Sequence, residues 1–183
     1  MAEETRVVFA SGFDSLFSKE IRSKLTPACT AELAAAGLRL DKPFQAAYGI
    51  EVWAAAVASL SKHVYPEDSA PEACQKLGRS TIVGFCETLI GRALFPLLRL
   101  IGPVRALDRA ARNYAATNNY TKVVLTRVGP SCFDFYLNEK HTLPAFDIGV
   151  LQEALHQLHV KSPSVRLVSQ DSEGFTMRLE WAA

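Results

Sequence analysis

Arginines are the most distinctive cluster of chemically capable side chains in this sequence. Arg105, Arg109 and Arg112 are spaced i, i+4 and i+7, which places them on one face of a helix. A guanidinium presents a planar fork of donors that suits carboxylates and phosphates. The row therefore predicts a site for an anionic ligand or for an acidic partner surface, and the alternative is a solvated helix face with intramolecular ion pairs. The candidate residues are Arg92, Arg99, Arg105, Arg109 and Arg112.

Amide side chains and aromatic rings recur close behind the arginines. The run Arg112-Asn113-Tyr114 is followed by Asn118-Asn119-Tyr120, where a helical pattern changes into a strand pattern. Amides at a helix end can accept hydrogen bonds from its unpaired backbone N–H groups and donate hydrogen bonds to its unpaired carbonyl groups. They can equally contact a ligand, so both roles are open. The candidate ligand contacts here are Asn113, Tyr114, Asn118 and Asn119.

The four cysteines, Cys29, Cys74, Cys86 and Cys132, lie too far apart for metal-ligand spacing. They are expected to be free thiols that pack as small apolar side chains. Cys86 lies between two glycines on an apolar helix, so it is a candidate for lining a cavity and carrying a thioester-linked lipid. The alternative for Cys86 is a buried core thiol.

The histidines make no site by their spacing. His156 and His159 are spaced i, i+3 on one predicted helix, but no third metal ligand lies near them in the sequence, and a single axial histidine to haem remains an open alternative. The sequence contains no nucleophile motif of the GxSxG type and no glycine-rich phosphate loop. We therefore predict no metal, no cofactor and no catalytic residue, and the sequence favours a role other than that of an enzyme.

Composition narrows the class of protein. The chain has 183 residues, 49% of them hydrophobic and 21% charged, with a net charge of +1. This balance is typical of a folded globular domain and gives no overall attraction to nucleic acid. The polar N-terminal residues do not resemble an export signal, so a cytoplasmic location is expected. The longest apolar stretch, 93–101, contains a proline and an arginine, and it is too short to predict a membrane span.

Helical periodicity covers the first two thirds of the chain. Apolar residues at helical spacing predict helices over 13–25, 27–36, 50–64, 69–94 and 103–117, with a short helix after Pro96. Ser69 and Glu72 have the spacing of a capping box. Gly78, Gly84 and Gly91 interrupt the long helix, which predicts that a neighbouring helix or a ligand approaches its backbone closely.

The period changes near Asn119. Alternating apolar residues predict strands over 120–128, 132–137, 165–168 and 175–181, and a helix over 144–160 separates the two pairs. The predicted fold class is α+β: an N-terminal helical layer (1–118) followed by β-β-α-β-β (119–183) that forms one four-stranded antiparallel sheet. All 183 residues are expected to form a single domain.

Several segments resemble a family of uncharacterised proteins of about this length that is expanded in myxobacteria. The resemblance covers nearly the whole chain and implies no established activity and no catalytic residues. It is carried by the segments 37–43, 48–53, 84–94, 98–103 and 112–120.

The order of elements is also similar to that of a ligand-binding superfamily. Its members include haem-nitric-oxide sensors, four-vinyl-reductase-type domains and Golgi transport subunits that hold a fatty acyl chain. This resemblance implies a pocket between the helical layer and the sheet. The Tyr-Ser-Arg motif of the haem sensors and the cysteine-rich end of many vinyl-reductase-type domains are both absent from this sequence.

These observations lead to a primary hypothesis and one alternative. The primary hypothesis is a non-catalytic sensory domain of bacterial signalling that binds a hydrophobic or anionic amphipathic small molecule, with one of the five arginines meeting the anionic group. The alternative is a protein-interaction or scaffold module, either monomeric or homodimeric, that uses the arginine-bearing helix or a sheet edge.

Overall fold

The computed structural model describes residues 5–114 and 117–182, and of Asn113 it describes the backbone. The helical part begins with a short strand, β1 (Val7–Phe9), which pairs antiparallel with β2 (Ala47–Gly49). Between them lie α1 (Ala10–Leu16), α2 (Lys19–Ser23) and α3 (Pro27–Ala35). The predicted helix over 13–25 is therefore two helices, because Ser18 caps α2 by accepting a hydrogen bond from the Ile21 N–H.

Two longer helices complete the first layer. The helix α4 (Ile50–Val64) has the predicted bounds, and α5 (Ala70–Glu87) begins with the predicted capping box of Ser69 and Glu72. The prediction that α5 continues to residue 94 is wrong. The backbone turns by 98° at Thr88, whose hydroxyl accepts from the Gly91 N–H and starts α6 (Leu89–Ile101). Pro96 lies within α6, and α7 (Pro103–Asn113) follows it.

The second part has the predicted β-β-α-β-β order. Its elements are β3 (Val123–Gly129), β4 (Cys132–Leu137), α8 (Pro144–Gln157), β5 (Ser164–Gln170) and β6 (Phe175–Glu180). The four strands form one antiparallel sheet in the order β3-β4-β6-β5, so the predicted α+β class and sheet are confirmed.

One face of the sheet packs against helices. Alternate residues of the central strands are buried on that face with residues of α7 and α8, and they form one apolar core cluster. The opposite face carries polar groups, among them Arg178 of β6, which donates two hydrogen bonds of 2.8 and 2.9 Å to Asp134 of β4. The central strands therefore have one buried face and one half-buried, polar face.

The glycines of α5 lie where other backbones pass very close. A Cβ atom at Gly78 would collide with the carbonyl oxygen of Phe146 in α8, and one at Gly149 would collide with that of Gln75 in α5. A Cβ at Gly84 would collide with the backbone of Ser15. The predicted close approach is therefore confirmed, and the neighbours are helices. Contact between α5 and α8 joins the helical core around Trp53 and Phe146 to the sheet.

No single helix in the described ranges is long and apolar enough to cross a membrane. The bent pair of α5 and α6 passes the same test of length and composition when its members are taken together.

Candidate functional site

A cavity of about 260 Å³ lies between the two parts of the fold. Its walls come from the helices α1, α4, α5, α6, α7 and α8, from β1 and the end of β4, and from the chains that join α7 to β3 and β4 to α8. Most lining side chains are apolar, including Trp53, Phe85, Phe95, Leu107 and Phe146. Such a wall with few polar groups is typical of sites for small apolar ligands.

The helix α6 forms the outer wall of the cavity. Phe95 and Leu98 are buried on its inner face and line the cavity, and Phe95 packs edge-on against Phe85 of α5 with ring centroids 6.2 Å apart. Leu89 and Leu100, on the opposite side of the same helix, are 86% and 84% exposed. A single helix therefore separates the cavity from an exposed apolar surface.

Two pairs of a tyrosine and a carboxyl group line one part of the cavity, together with Asn118. We call Tyr114, Asn118, Tyr120, Glu139 and Asp147 the polar end. The Tyr114 hydroxyl donates to Asp147 Oδ1 at 3.2 Å, and the Tyr120 hydroxyl donates to Glu139 Oε2 at 2.9 Å. Both carboxylates are buried and line the cavity.

Burial dominates the electrostatics of the polar end. It raises the pKa of Asp147 to about 7, and the charge of Glu139 adds to the rise, whereas the hydrogen bond from Tyr114 lowers the pKa. Burial likewise raises the pKa of Tyr114 and that of Tyr120 well above the ordinary value of a phenol. Both phenols are therefore neutral hydrogen-bond donors at neutral pH.

The two asparagines at the junction bind backbone, but it is the backbone of the following chain and of the N-terminal segment, whereas the predicted structural role was to bind the end of the helix. Asn118 is buried, and its Oδ1 accepts from the N–H groups of Tyr120 and Thr121 at 3.2 and 2.7 Å. Asn119 is exposed, accepts from the Val7 N–H and donates to the Thr5 carbonyl. These bonds fasten the junction to β1 and so fix the position of the polar end.

The predicted site residues do not all come together. Tyr114 and Asn118 line the cavity, whereas Asn119 lies outside it, and the Asn113 side chain falls outside the described part of the structure. The five arginines are exposed and are not cavity-lining residues. One of them, Arg99, donates from Nε to the Gln157 carbonyl at 2.7 Å and so connects α6 to the end of α8. A role for the arginines in ligand binding stays a prediction.

Cys86 is half-buried near the end of α5 and is not among the lining residues. Burial raises the pKa of its thiol to about 11, so the nucleophilic thiolate is disfavoured at neutral pH. All four cysteines are free. A lipid on Cys86 likewise stays a prediction.

Sequence reasoning missed Glu139 and Asp147. Asp147 lies in the first turn of α8, where an acid is common because it interacts favourably with the helix dipole. Glu139 lies in a loop, where an acid is ordinarily solvated. The available signal was the position of Asp147 directly after Phe146, at the edge of the predicted inward stripe of that helix.

A family model described as "Protein of unknown function (DUF2378)" matches residues 6–182. The chain belongs to this family. The match spans nearly the whole chain, so the family resemblance seen in the sequence is confirmed. None of the curated proteins compared with the chain matches it.

Solved structures of H-NOX domains share the fold of this DUF2378 protein. An oxygen-binding H-NOX domain related to soluble guanylate cyclases is 16% identical, with a TM-score of 0.64 and 93% of each chain covered. A variant of the T. tengcongensis H-NOX is 15% identical, with a TM-score of 0.64 and 94% and 96% coverage of this chain and its own. A structure from a study of haem distortion in the H-NOX family is 16% identical, with a TM-score of 0.64 and 95% of each chain covered. At these identities the likeness shows the fold.

The donor set of the cavity does not fit haem. Protein ligands to haem iron are histidine, cysteine, methionine or tyrosine. Among the described residues that line the cavity there is no histidine, cysteine or methionine. The hydroxyl groups of the two tyrosines donate hydrogen bonds to Asp147 and Glu139. The raised pKa values of both tyrosines disfavour the phenolate that would bind iron. The shared fold is therefore combined with a different cavity chemistry.

Proposed function

We propose that this protein is a non-catalytic sensory domain that binds a small apolar molecule in the cavity between its helical layer and its sheet. The observation that carries the proposal is the cavity of about 260 Å³ with its predominantly apolar wall. Its volume lies just below the range of about 300–1,000 Å³ that is usual for sites of drug-sized ligands. The H-NOX fold supports a sensory role in bacterial signalling, and a cytoplasmic location remains our prediction.

Direct detection of a bound molecule tests the proposal. Native mass spectrometry of the purified protein, followed by solvent extraction, is expected to show a small apolar ligand, or else an empty protein that takes up the fluorescent apolar probe N-phenylnaphthylamine. A crystal structure with a fully packed interior in place of the cavity would contradict the proposal.

A cavity-filling substitution sharpens this test. Ala154 of α8 lines the cavity, and the ring of Ala154→Phe would occupy the space of the ligand. We expect this variant to lose probe uptake by at least about tenfold, because the apolar contact area of the probe is removed. Ala31→Phe, on an exposed position of α3, is the matched control and should bind the probe as the wild type does.

The outer face of α6 favours a second candidate function, that of a protein-interaction module. Leu89, Ile90, Leu97 and Leu100 are 86%, 70%, 57% and 84% exposed, and exposed apolar patches of this kind mark interaction sites. Arg92 and Arg99 of the same helix are exposed as well, and so are the arginines of α7. Charge complementarity therefore favours a protein partner with an apolar centre and an acidic rim.

Charge reversal tests this second candidate. A double variant, Arg105→Glu with Arg109→Glu, is expected to lose a partner identified by crosslinking in cells while it keeps the thermal stability of the wild type, because both side chains are exposed. Lys42→Glu with Lys161→Glu is the matched control on other exposed positions. Retention of the partner by the arginine variant would contradict the candidate. Binding of anionic vesicles in place of a protein would assign the face to a membrane surface and would contradict it too.

A further inference from the structure

The polar end of the cavity carries negative charge without a compensating cation. Glu139 and Asp147 are only 7% and 6% exposed, and both line the cavity. No lysine, arginine or histidine is a lining residue in the described ranges 5–114 and 117–182. Burying a charged group without a partner costs free energy, so a positively charged ligand group would stabilise this arrangement.

The hydrogen bonds distinguish the two carboxyl groups. Glu139 is fully engaged: Oε2 accepts from the Tyr120 hydroxyl, and Oε1 accepts from the N–H groups of Lys140 and His141 at 2.8 and 2.6 Å. Asp147 accepts through Oδ1 alone, from the Tyr114 hydroxyl. Its Oδ2 receives no hydrogen bond from any residue that the structure describes. A carboxyl group that is more than nine-tenths buried thus keeps one oxygen available at the cavity.

Titratable groups face Asp147 from four parts of the chain, and all are acidic or neutral. Tyr114 faces it from the end of α7 and Tyr120 from the chain between α7 and β3. Glu139 faces it from the chain between β4 and α8, and the buried thiol of Cys74 from α5. Burial raises the pKa of the Cys74 thiol to about 11, so this group is neutral at neutral pH. The charge on Asp147 therefore has Glu139 as its charged neighbour, and the repulsion between them helps to keep its pKa near 7.

We propose that the ligand of this cavity is an apolar molecule with a protonated amine, whose ammonium group donates a hydrogen bond to Asp147 Oδ2 beside Glu139. This inference rests on the proposed ligand-binding function and names the class of ligand. An ammonium group carries three donors and a positive charge, so it satisfies the free oxygen and offsets one of the two negative charges of the acidic pair. The apolar part of the ligand would lie against Phe95 and Leu107, which line the same cavity.

The raised pKa of Asp147 also implies a pH dependence of ligand binding. Below about pH 7 Asp147 is protonated in the ligand-free protein, so an amine must displace that proton in order to bind. We expect the affinity for an amine to rise about tenfold per pH unit as the pH increases towards 7, and to level off above it. A neutral alcohol is expected to show a much weaker dependence.

Three probes of equal chain length test the inference: octylamine, octanol and octanoate. Their affinities, measured by displacement of N-phenylnaphthylamine at pH 8, are expected to follow the order octylamine, octanol, octanoate, with at least about tenfold between the first and the last. Asp147→Asn should weaken octylamine by about tenfold or more and leave octanol within about twofold, which also shows that the variant keeps its cavity. Asp108→Asn, on an exposed position of α7, should change neither.

Other outcomes separate this inference from the function on which it rests. Tightest binding of octanoate would overturn it in favour of an anionic ligand that reaches the arginines. Equal binding of all three probes would overturn it because the polar end would then not discriminate by charge. In both cases the ligand-binding function would stand. Failure of every probe, together with no uptake of N-phenylnaphthylamine by a protein that native mass spectrometry shows to be empty, would overturn the proposed function itself.

Discussion

Asp147 sits in a position where two effects on its pKa oppose each other. The first turn of a helix favours the ionised form of an acid by up to about 1 kcal/mol. Burial and the charge of Glu139 favour the neutral form, and they dominate, because the pKa is raised to about 7. The side chain is therefore poised to gain or lose its proton near neutral pH.

This poise links folding stability to pH. The ordinary pKa of an aspartate in an unfolded chain is about 3.9, so the folded state holds the proton more tightly than the unfolded state does. The protein is expected to lose stability as the pH rises from about 4 to 7, by at most about 4 kcal/mol from this group. Asp147→Asn removes the titration and keeps an oxygen acceptor for Tyr114.

We therefore expect Asp147→Asn to raise the melting temperature relative to the wild type more at pH 8 than at pH 5. The reason is that the wild type buries a charged carboxylate at pH 8 and a neutral carboxyl group at pH 5. Differential scanning calorimetry at the two pH values measures the effect, with Asp108→Asn as the exposed control. A difference between variant and wild type that is the same at both pH values would contradict the expectation.

Tyr114→Phe provides an independent residue-scale prediction. The Tyr114 hydroxyl donates to Asp147 and lowers its pKa, so removal of the hydroxyl should raise that pKa further. In the phenylalanine variant, the midpoint of the pH dependence of octylamine binding should move to a higher pH. Titration of octylamine from pH 6 to pH 9 measures the midpoint, and Tyr136→Phe, on the sheet, should leave it unchanged. A midpoint that moves to lower pH would refute the assigned role of Tyr114.

At the residue scale, the exposed arginines could be found from the sequence, whereas the buried acids could not. The arginine row was visible because helical spacing reveals a shared face, and all five arginines are exposed. The buried carboxyl groups were not visible. Their burial depends on packing of α8 against α5 and on the course of a loop, and neither of these is encoded in the local pattern around Glu139 or Asp147.

At the scale of elements, the contact between α5 and α8 depends on glycine. In a helix interior glycine is less stable than alanine by about 1 kcal/mol, so Gly78→Ala would be stabilising if propensity alone decided. The added Cβ would instead collide with the carbonyl oxygen of Phe146, a backbone atom that cannot move without shifting α8.

We expect Gly78→Ala to lower the free energy of unfolding by about 1–3 kcal/mol, because the steric term exceeds the gain in helix propensity. Urea denaturation measures the change. Gly129→Ala is the control, since a Cβ at this position meets only an ordinary contact with Cys132. A higher free energy of unfolding for Gly78→Ala would contradict this expectation, because it would show that α5 and α8 can move apart without a loss of stability.

Element boundaries show where local patterns fail. The bounds of α4 were predicted correctly because its apolar stripe is regular and the flanking Gly49 and Tyr65 end it. The break at Thr88 was missed, since the apolar pattern continues through it. The hydroxyl of Thr88 caps α6, and Gly91 allows the sharp turn because a Cβ there would meet the carbonyl oxygen of Phe85.

At the scale of the whole molecule, a ligand in the cavity should stabilise the fold. A ligand at one hundred times its dissociation constant contributes about 2.7 kcal/mol. For a chain of 183 residues this corresponds to a rise in melting temperature of about 5–10 °C. We expect octylamine to produce this rise at pH 8 and a smaller one at pH 6, as measured by thermal scanning. An equal rise at both values would indicate binding that does not involve Asp147.

The backbone contact at Gly78 and Gly149 divides the cavity walls into two mechanical classes. The helices α5 and α8 meet there without intervening side chains, so the distance between them is fixed by backbone contact. The helix α6 is held differently, by apolar contacts, by the bend at Thr88 and by the hydrogen bond from Arg99 to the Gln157 carbonyl. A larger ligand would thus increase the distance of α6 from α5 and α8, while α5 and α8 keep their separation. The far side of α6 is the exposed leucine face. The same helix would therefore contact the ligand on one side and present the response to ligand size on the other.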